Sequence, residues 1–224
     1  MCKTCAHVQL LDVINPKFLY SNYTYSSGNS AGLVRHFKEY AENIIKKYKP
    51  KKRSLVVDIG SNDGTLLSFF KKNGFNVLGV DPAKEIAKKA SSNGIKTLPK
   101  FMNLNLSKKI KKNYGLADIV TANNAFAHGD DLIGLLKSIK NIMKPDGIFV
   151  FEVSYLLDVI EKILLGTIFH EHHSYHSLKP LIKFTNAFNM EIINVERVSI
   201  QGGSLIVTAQ IKGGPNKVSS SVIK

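Results

Sequence analysis

Short, almost continuous apolar runs alternate along this chain with stretches whose apolar positions recur every three or four residues. The runs at 54–59, 76–81, 95–98, 117–123 and 147–153 predict strands, the first of them buried on both faces through Leu55, Val56 and Val57. Helical spacing begins near Thr65, Pro82, Leu132 and Tyr155, and also fills 31–48, which stops at Pro50. The stretch 103–112 is ambiguous. Strands alternating with helices predict a parallel sheet with right-handed crossovers and a ligand at the strands' carboxyl ends.

The rhythm changes near the end. After a helix over 178–188, two β-rich runs at 190–200 and 204–211 are separated only by Gln201, Gly202 and Gly203. So short a connection predicts antiparallel pairing, because a parallel return needs a dozen or more residues. The reading divides the chain into an irregular, turn-rich and tyrosine-bearing amino-terminal segment (1–30), one α/β domain (31–212) and a polar, flexible tail (213–224).

Chemistry enters with SLVVDIGSNDGTLL, starting at Ser54. A buried strand ends in Asp58, and Gly60 to Gly64 turn the chain into a helix. This spacing differs from the dinucleotide fingerprint G-x-G-x-x-G, which has glycine where this chain has Asn62. Asp81 ends the next strand 21 residues on from Gly60, where a carboxylate in adenosine-binding α/β folds takes both ribose hydroxyls. The competing reading makes Asp63 and Asp81 helix caps.

Composition narrows the partners. The net charge of +14 comes from 31 basic and 17 acidic residues, and only Arg35, Arg53 and Arg197 among the basic ones are arginine. Lysine dominance fits a solvated face better than base reading, which weighs against nucleic acid, while 46–53 and 108–112 suit an anionic substrate such as a nucleotide diphosphate. No run reaches the roughly 18 apolar residues of a membrane span and the amino end has no signal-type core, so the expected location is the cytoplasm. Cys2 and Cys5, in C-x-x-C spacing, make half of a tetrahedral zinc site with His7 as a third candidate ligand, or a pair of reduced thiols left from an incomplete one.

Five of the seven histidines fall in two predicted loops, in NNAFAH after the fourth strand and in FHEHHSYH after the fifth βα unit. A near-neutral imidazole beside Glu suits proton abstraction. Metal binding is the rival, but Ser174 breaks the H-E-x-x-H spacing, and His172 with His176 makes only half a site.

Taken in order, VVDIGSNDGTLL, VLGVDPAKEIAKKA, NNAFAH, DGIFVFEVSYL, IFHEHHSYHSL and QGGSL resemble the sugar-nucleotide C-methyltransferases of deoxysugar pathways, which are class I S-adenosylmethionine-dependent enzymes. The amino-terminal CKTCAHVQL and YTYSSGNS resemble that family's second zinc-ligand pair and its active-site tyrosine segment. The resemblance implies a Rossmann-like fold, a mostly parallel seven-stranded sheet with an antiparallel last strand. It assigns S-adenosylmethionine to Asp58, Gly60, Ser61, Asn62, Asp63 and Gly64, to Asp81 with Pro82, and to Asn123 and Asn124. It makes His172 the base that takes a proton from the carbon beside the ketone of a nucleotide-linked keto-deoxysugar. His128 and Tyr23 are the oxyanion donors, and Glu171 orients the base or meets the sugar.

The chain departs from the family pattern at Phe169, usually Tyr, and at Gln201, usually His. It is also expected to lack the family's first C-x-x-C pair and its carboxyl-terminal domain, so that it is truncated at both ends. A second chain supplying that domain or the missing zinc ligands is therefore an expected partner. The alternative is a non-catalytic cofactor-binding or assembly module.

Overall fold

The computed structural model describes residues 1–20 and 23–223; Ser21, Asn22 and Lys224, which the expected terminal segments include, lie outside the described residues. In chain order the elements are β1 (Val8–Gln9), α1 (Pro16–Tyr20), α2 (Ala31–Tyr48), β2 (Leu55–Ile59), α3 (Thr65–Lys72), β3 (Asn76–Val80) and α4 (Lys84–Ser92). There follow β4 (Thr97–Leu98), α5 (Leu104–Tyr114), β5 (Ala117–Asn123), α6 (Leu132–Ile142), β6 (Met143–Ser154), α7 (Leu156–Glu161), β7 (Ser174–Tyr175), α8 (Leu178–Ala187), β8 (Met190–Val198) and β9 (Ser204–Ile211).

Seven strands form one sheet in the order β4-β3-β2-β5-β6-β9-β8. From β4 to β6 neighbours are parallel, whereas β9 runs antiparallel to both β6 and β8, as the three-residue connection requires. This is the Rossmann-like sheet with an antiparallel carboxyl-terminal strand that the motifs implied. Side-chain alternation sorts the core into two faces. Val57, Val120 and Phe149 pack with α5, α6 and α8. Val56, Ile119 and Val150 pack with α2 and α3.

Local chemistry fixes the ends of α2. The Ser30 side chain accepts from Leu33 N at 3.3 Å, and Lys49, in the left-handed region at φ 48°, closes the last turn before Pro50. The ambiguous stretch is α5: Asn103 accepts from Leu106 N at 2.9 Å, and Leu106 and Ile110 are buried while Lys108, Lys109, Lys111 and Lys112 point outward. That basic run is the solvated face of an amphipathic helix.

Two expectations need correction. The tail expected to be flexible docks on β8 and β9 as far as Ile223: Ser219 N donates to Ile193 O at 2.8 Å and Asn216 N to Gln210 Oε1 at 3.1 Å. Ser219 and Ser221 satisfy backbone groups of the edge strand β8, and Asn216 satisfies the buried Gln210 side chain, which composition alone does not reveal. The amino-terminal segment, read as irregular, holds β1, which pairs antiparallel with β7, Val8 opposite Tyr175 and Gln9 opposite Ser174. Two-residue strands carry no readable period.

Candidate active site

A cavity of about 900 Å³ opens over the carboxyl ends of the central strands, between the turn after β2 and the loop before β7. Gly60 opens that turn at φ +72°, and a Cβ there would stand 2.5 Å from the Ala125 Cβ. Only glycine lets the backbone line the cavity so closely. Asn62, at φ +48°, occupies the left-handed region that Asn tolerates better than most residues.

Asp81 lies on this side, buried, with Pro82 next to it on the cavity wall. Its Oδ2 accepts from Asn62 N at 2.8 Å and its Oδ1 from Ala83 N at 2.9 Å, which leaves a lone pair on each oxygen. Burial pushes its pKa up, opposed by those two N–H groups. Asp58 forms part of the floor; its Oδ1 accepts from Thr121 Oγ1 at 2.6 Å, and burial pushes its pKa up to about 7. Ser61, Asn123 and Asn124 also line the cavity.

The Asp63 carboxylate and Gly64 do not. Asp63 accepts from Ser26 Oγ, from Gly28 N at 2.8 Å and from Thr65 N at 3.1 Å, so the helix-cap reading describes it, with two further bonds to the amino-terminal segment. Gly64 is required by φ +79° and by Ile95, 2.8 Å from where a Cβ would sit. The Asn62 amide likewise accepts from Ser27 N at 2.9 Å and donates to Tyr25 O at 2.8 Å. Asn62 and Asp63 therefore bind the segment 25–28 to the glycine turn and bring Tyr23 and Tyr25 to the cavity.

The other end is aromatic and basic. His172, His128, Glu171 and Tyr23 all line it, as expected, together with Phe169 and Gln201. The His172 ring lies between Phe169, centroids 4.4 Å apart, and His128, 5.0 Å apart. Its Nδ1 stands 2.8 Å from the Thr167 carbonyl oxygen. A carbonyl only accepts, so Nδ1 carries the hydrogen and Nε2 holds the free lone pair of a base. Burial lowers the His172 pKa, while Thr167 and Glu171 partly restore it. His128, more deeply buried, is pushed down to about 3 and stays neutral, a donor without charge.

A rate that needs neutral His172 should be level from neutrality upward and fall only below the ordinary imidazole value of 6.5. A pH–rate profile checks this, and a fall beginning above pH 7 would contradict it.

Sequence reading missed Tyr20, whose ring stacks on His128 at 5.9 Å and 14°, and whose buried hydroxyl has no partner among the described residues. It also missed the His36–Glu152 pair below the floor. Tyr20 was visible only as one tyrosine of three, and His36 is a helix position with no motif around it.

The cysteines stand apart. Cys2 is exposed, Cys5 is half-buried, and His7 turns to Ser174 Oγ at 3.2 Å and to the His176 ring. No group of three or more His, Cys, Asp or Glu able to hold a metal occurs among the described residues, so the zinc expectation finds no donor set here. Backbone N–H groups of the C-x-x-C turn instead bring the Cys2 thiol down to about 7. Among the described residues no helix is long and apolar enough to cross a membrane.

With this geometry in view, the family model described as a methyltransferase domain matches residues 33–195. The chain belongs to the methyltransferase domain family. It is 31% identical over 222 residues to the C-methyltransferase NovU of Streptomyces niveus, a match covering 99% of this chain and 53% of that protein. A ubiquinone biosynthesis O-methyltransferase of Vibrio parahaemolyticus is 28% identical over 139 residues, 56% of this chain and 57% of that one. The chain thus spans about half the length of these curated relatives.

Among solved structures, magnesium protoporphyrin IX methyltransferase of Synechocystis with bound SAH superposes with a TM-score of 0.61 at 15% identity, covering 86% of this chain and 91% of that one. The PH0226 protein of Pyrococcus horikoshii gives 0.63 at 17%, covering 88% and 99%. These likenesses establish the shared fold of this methyltransferase domain.

Proposed function

We propose that this methyltransferase domain binds S-adenosylmethionine and methylates a carbon beside the ketone of a nucleotide-linked keto-deoxysugar. The observation that carries the reading is His172: a cavity-lining imidazole whose Nδ1 is committed to the Thr167 carbonyl, which leaves Nε2 as a base. The name of the Streptomyces relative, a C-methyltransferase, supports it. So does the fit of the other end of the cavity to the cofactor, with a glycine turn that tolerates no Cβ and a carboxylate with both oxygens available.

When bound, the cofactor supplies an electrophilic sulfonium methyl group. Asp81 would hold the ribose hydroxyls, and the Gly60 turn and Asn123 would line the path of the rest of the molecule. His172 Nε2 takes the proton from the acidic carbon, and the C–H electron pair moves into an enolate whose oxygen takes the negative charge. That oxygen needs donors in a water-poor site. Neutral His128 and Tyr23 fill this role, the phenol kept protonated because burial and Glu171 push its pKa up to about 12. Glu171 steadies the protonated base through space. The enolate carbon would then form its bond to the methyl group as the carbon–sulfur bond breaks, its electron pair staying on sulfur as the neutral thioether leaves and the abstracted proton staying on His172.

Incubating the protein with S-adenosylmethionine and a nucleotide-linked 4-keto-deoxysugar should yield a carbon-methylated sugar nucleotide, detected by mass and by proton resonance. Cofactor binding with neither methylation nor hydrogen exchange on any keto-sugar nucleotide offered would replace this reading with a non-catalytic cofactor-binding module. The sugar nucleotide, and any partner chain completing its site, belong to the same proposal.

A further inference from the structure

Below the cavity floor, on the face of the sheet covered by α2, four polar side chains meet where apolar packing is the rule. Thr121 and Asn123 on β5, Asp58 on β2 and Glu152 on β6 share the face of Val56, Ile119 and Val150. Glu152 is fully buried, and its Oε2 lies 2.6 Å from His36 Nε2 on α2. Its Oε1 has no hydrogen-bond partner among the described residues.

Beside it, in direct register across β5 and β6, stands Asn123. Neither Nδ2 nor Oδ1 of Asn123 has a partner among the described residues, although both atoms are buried and the residue lines the cavity. The Tyr40 hydroxyl, from the next turn of α2, completes the group: burial, Glu152 and Asp58 push its pKa up and a contact with Asn123 opposes them, but that contact falls short of hydrogen-bond geometry and leaves both groups without a well-formed bond. Buried polar groups left without hydrogen bonds are destabilising and rare, so four unsatisfied atoms at adjacent positions mark a network missing a member.

Register supplies part of the answer. Neighbouring strands lie about 4.8 Å apart, so in this parallel pair the Asn123 amide and the Glu152 carboxylate, opposite each other on one face, are within reach. We propose that Glu152, held by His36, is a positioning residue for the cofactor: its free Oε1 receives the Asn123 Nδ2–H and turns Asn123 Oδ1 toward the cavity, where it accepts from the ammonium of bound S-adenosylmethionine. The placement agrees with the sheet order. With ribose at Asp81 on the β3 side, the amino-acid tail passes Gly60 after β2 and reaches the end of β5, where Asn123 stands. An ammonium carries three donors and no acceptor, matching an unpaired amide oxygen at the cavity wall over a floor of buried carboxylates.

The inference rests on the cofactor assignment above, and calorimetric titration separates the two. Three probes serve: S-adenosylmethionine, its demethylated product, and 5′-methylthioadenosine, which lacks the amino-acid tail. Glu152→Met should weaken the first two by about tenfold and leave the third unchanged. Asn123→Ala should do the same, and the double variant should be no weaker than the worse single one, because Glu152 acts only through Asn123. Glu152→Gln keeps an acceptor oxygen and should restore most of the affinity. If Glu152→Met does not fold, His36→Gln paired with Asn123→Ala tests the same coupling. Additive losses, an equal loss for methylthioadenosine, or unaltered binding by both Glu152→Met and His36→Gln would overturn the positioning role. Wild-type protein that binds none of the probes would overturn the cofactor assignment itself.

Discussion

Replacing His172 by Asn is expected to abolish both hydrogen exchange at the carbon beside the ketone and methyl transfer to it, while cofactor affinity stays at the wild-type value. The exchange arm isolates the base. In deuterated water without cofactor, a keto-sugar nucleotide held against His172 should trade its carbon-bound hydrogen for deuterium. A positioned general base contributes on the order of 10² to 10⁴ in rate, so the loss should be plain in either arm. Asn keeps a polar side chain of similar size, so the Thr167 carbonyl that His172 Nδ1 now meets at 2.8 Å can keep a donor. Fold and loop position are then preserved, and circular dichroism with an unchanged cofactor titration confirms it. Methylation surviving at near the wild-type rate would remove His172 as the base and make His128 the next candidate. His128 starts badly placed for that work, since burial drives its pKa down to about 3 and leaves it a weak proton acceptor.

The same residues show how far a sequence can be read. The parallel order, the antiparallel last strand and the glycine turn were legible because each is set by a local pattern: apolar runs, a connection too short for a crossover, a glycine where the chain turns at positive φ. His172, His128, Glu171 and Tyr23 were named by resemblance, and the structure places all four in the lining of one cavity, with their roles proposed above. What the pattern hid depends on contacts between distant parts of the chain. Asn62, which lines the cavity, and Asp63, which does not, also use their side chains to hold Tyr25, Ser26, Ser27 and Gly28. Nothing near Asn62 announces a partner 37 residues away in the chain. The β1–β7 ribbon, which joins the amino-terminal segment to the loop bearing His172, is two residues long on each side and has no period. The His36–Glu152 contact spans 116 residues, and a glutamate inside an apolar strand reads locally as a flaw in a core position.

Asp81 carries the second large expected effect. Asp81→Ala should weaken S-adenosylmethionine and its demethylated product alike, by roughly 10² or more, since charge-assisted hydrogen bonds of about 1.5–3 kcal/mol each are lost to two ribose hydroxyls. Equal loss for both ligands is the informative part, because they share the ribose and differ only at sulfur. The side chain also accepts from Asn62 N and Ala83 N, so its removal leaves two backbone donors without their present acceptor and loosens the turn that Gly60 begins. Asp81→Asn separates the two contributions. One amide oxygen can still take a backbone N–H, but the charge and the second acceptor are gone, so stability should recover more than affinity does. Calorimetry and thermal melting on the pair of variants decide the matter. Affinity that recovers in step with melting temperature in Asp81→Asn would make Asp81 a cap for the loop and take the ribose away from it. Affinity that stays low in a protein melting like wild type would fix the ribose at the end of β3.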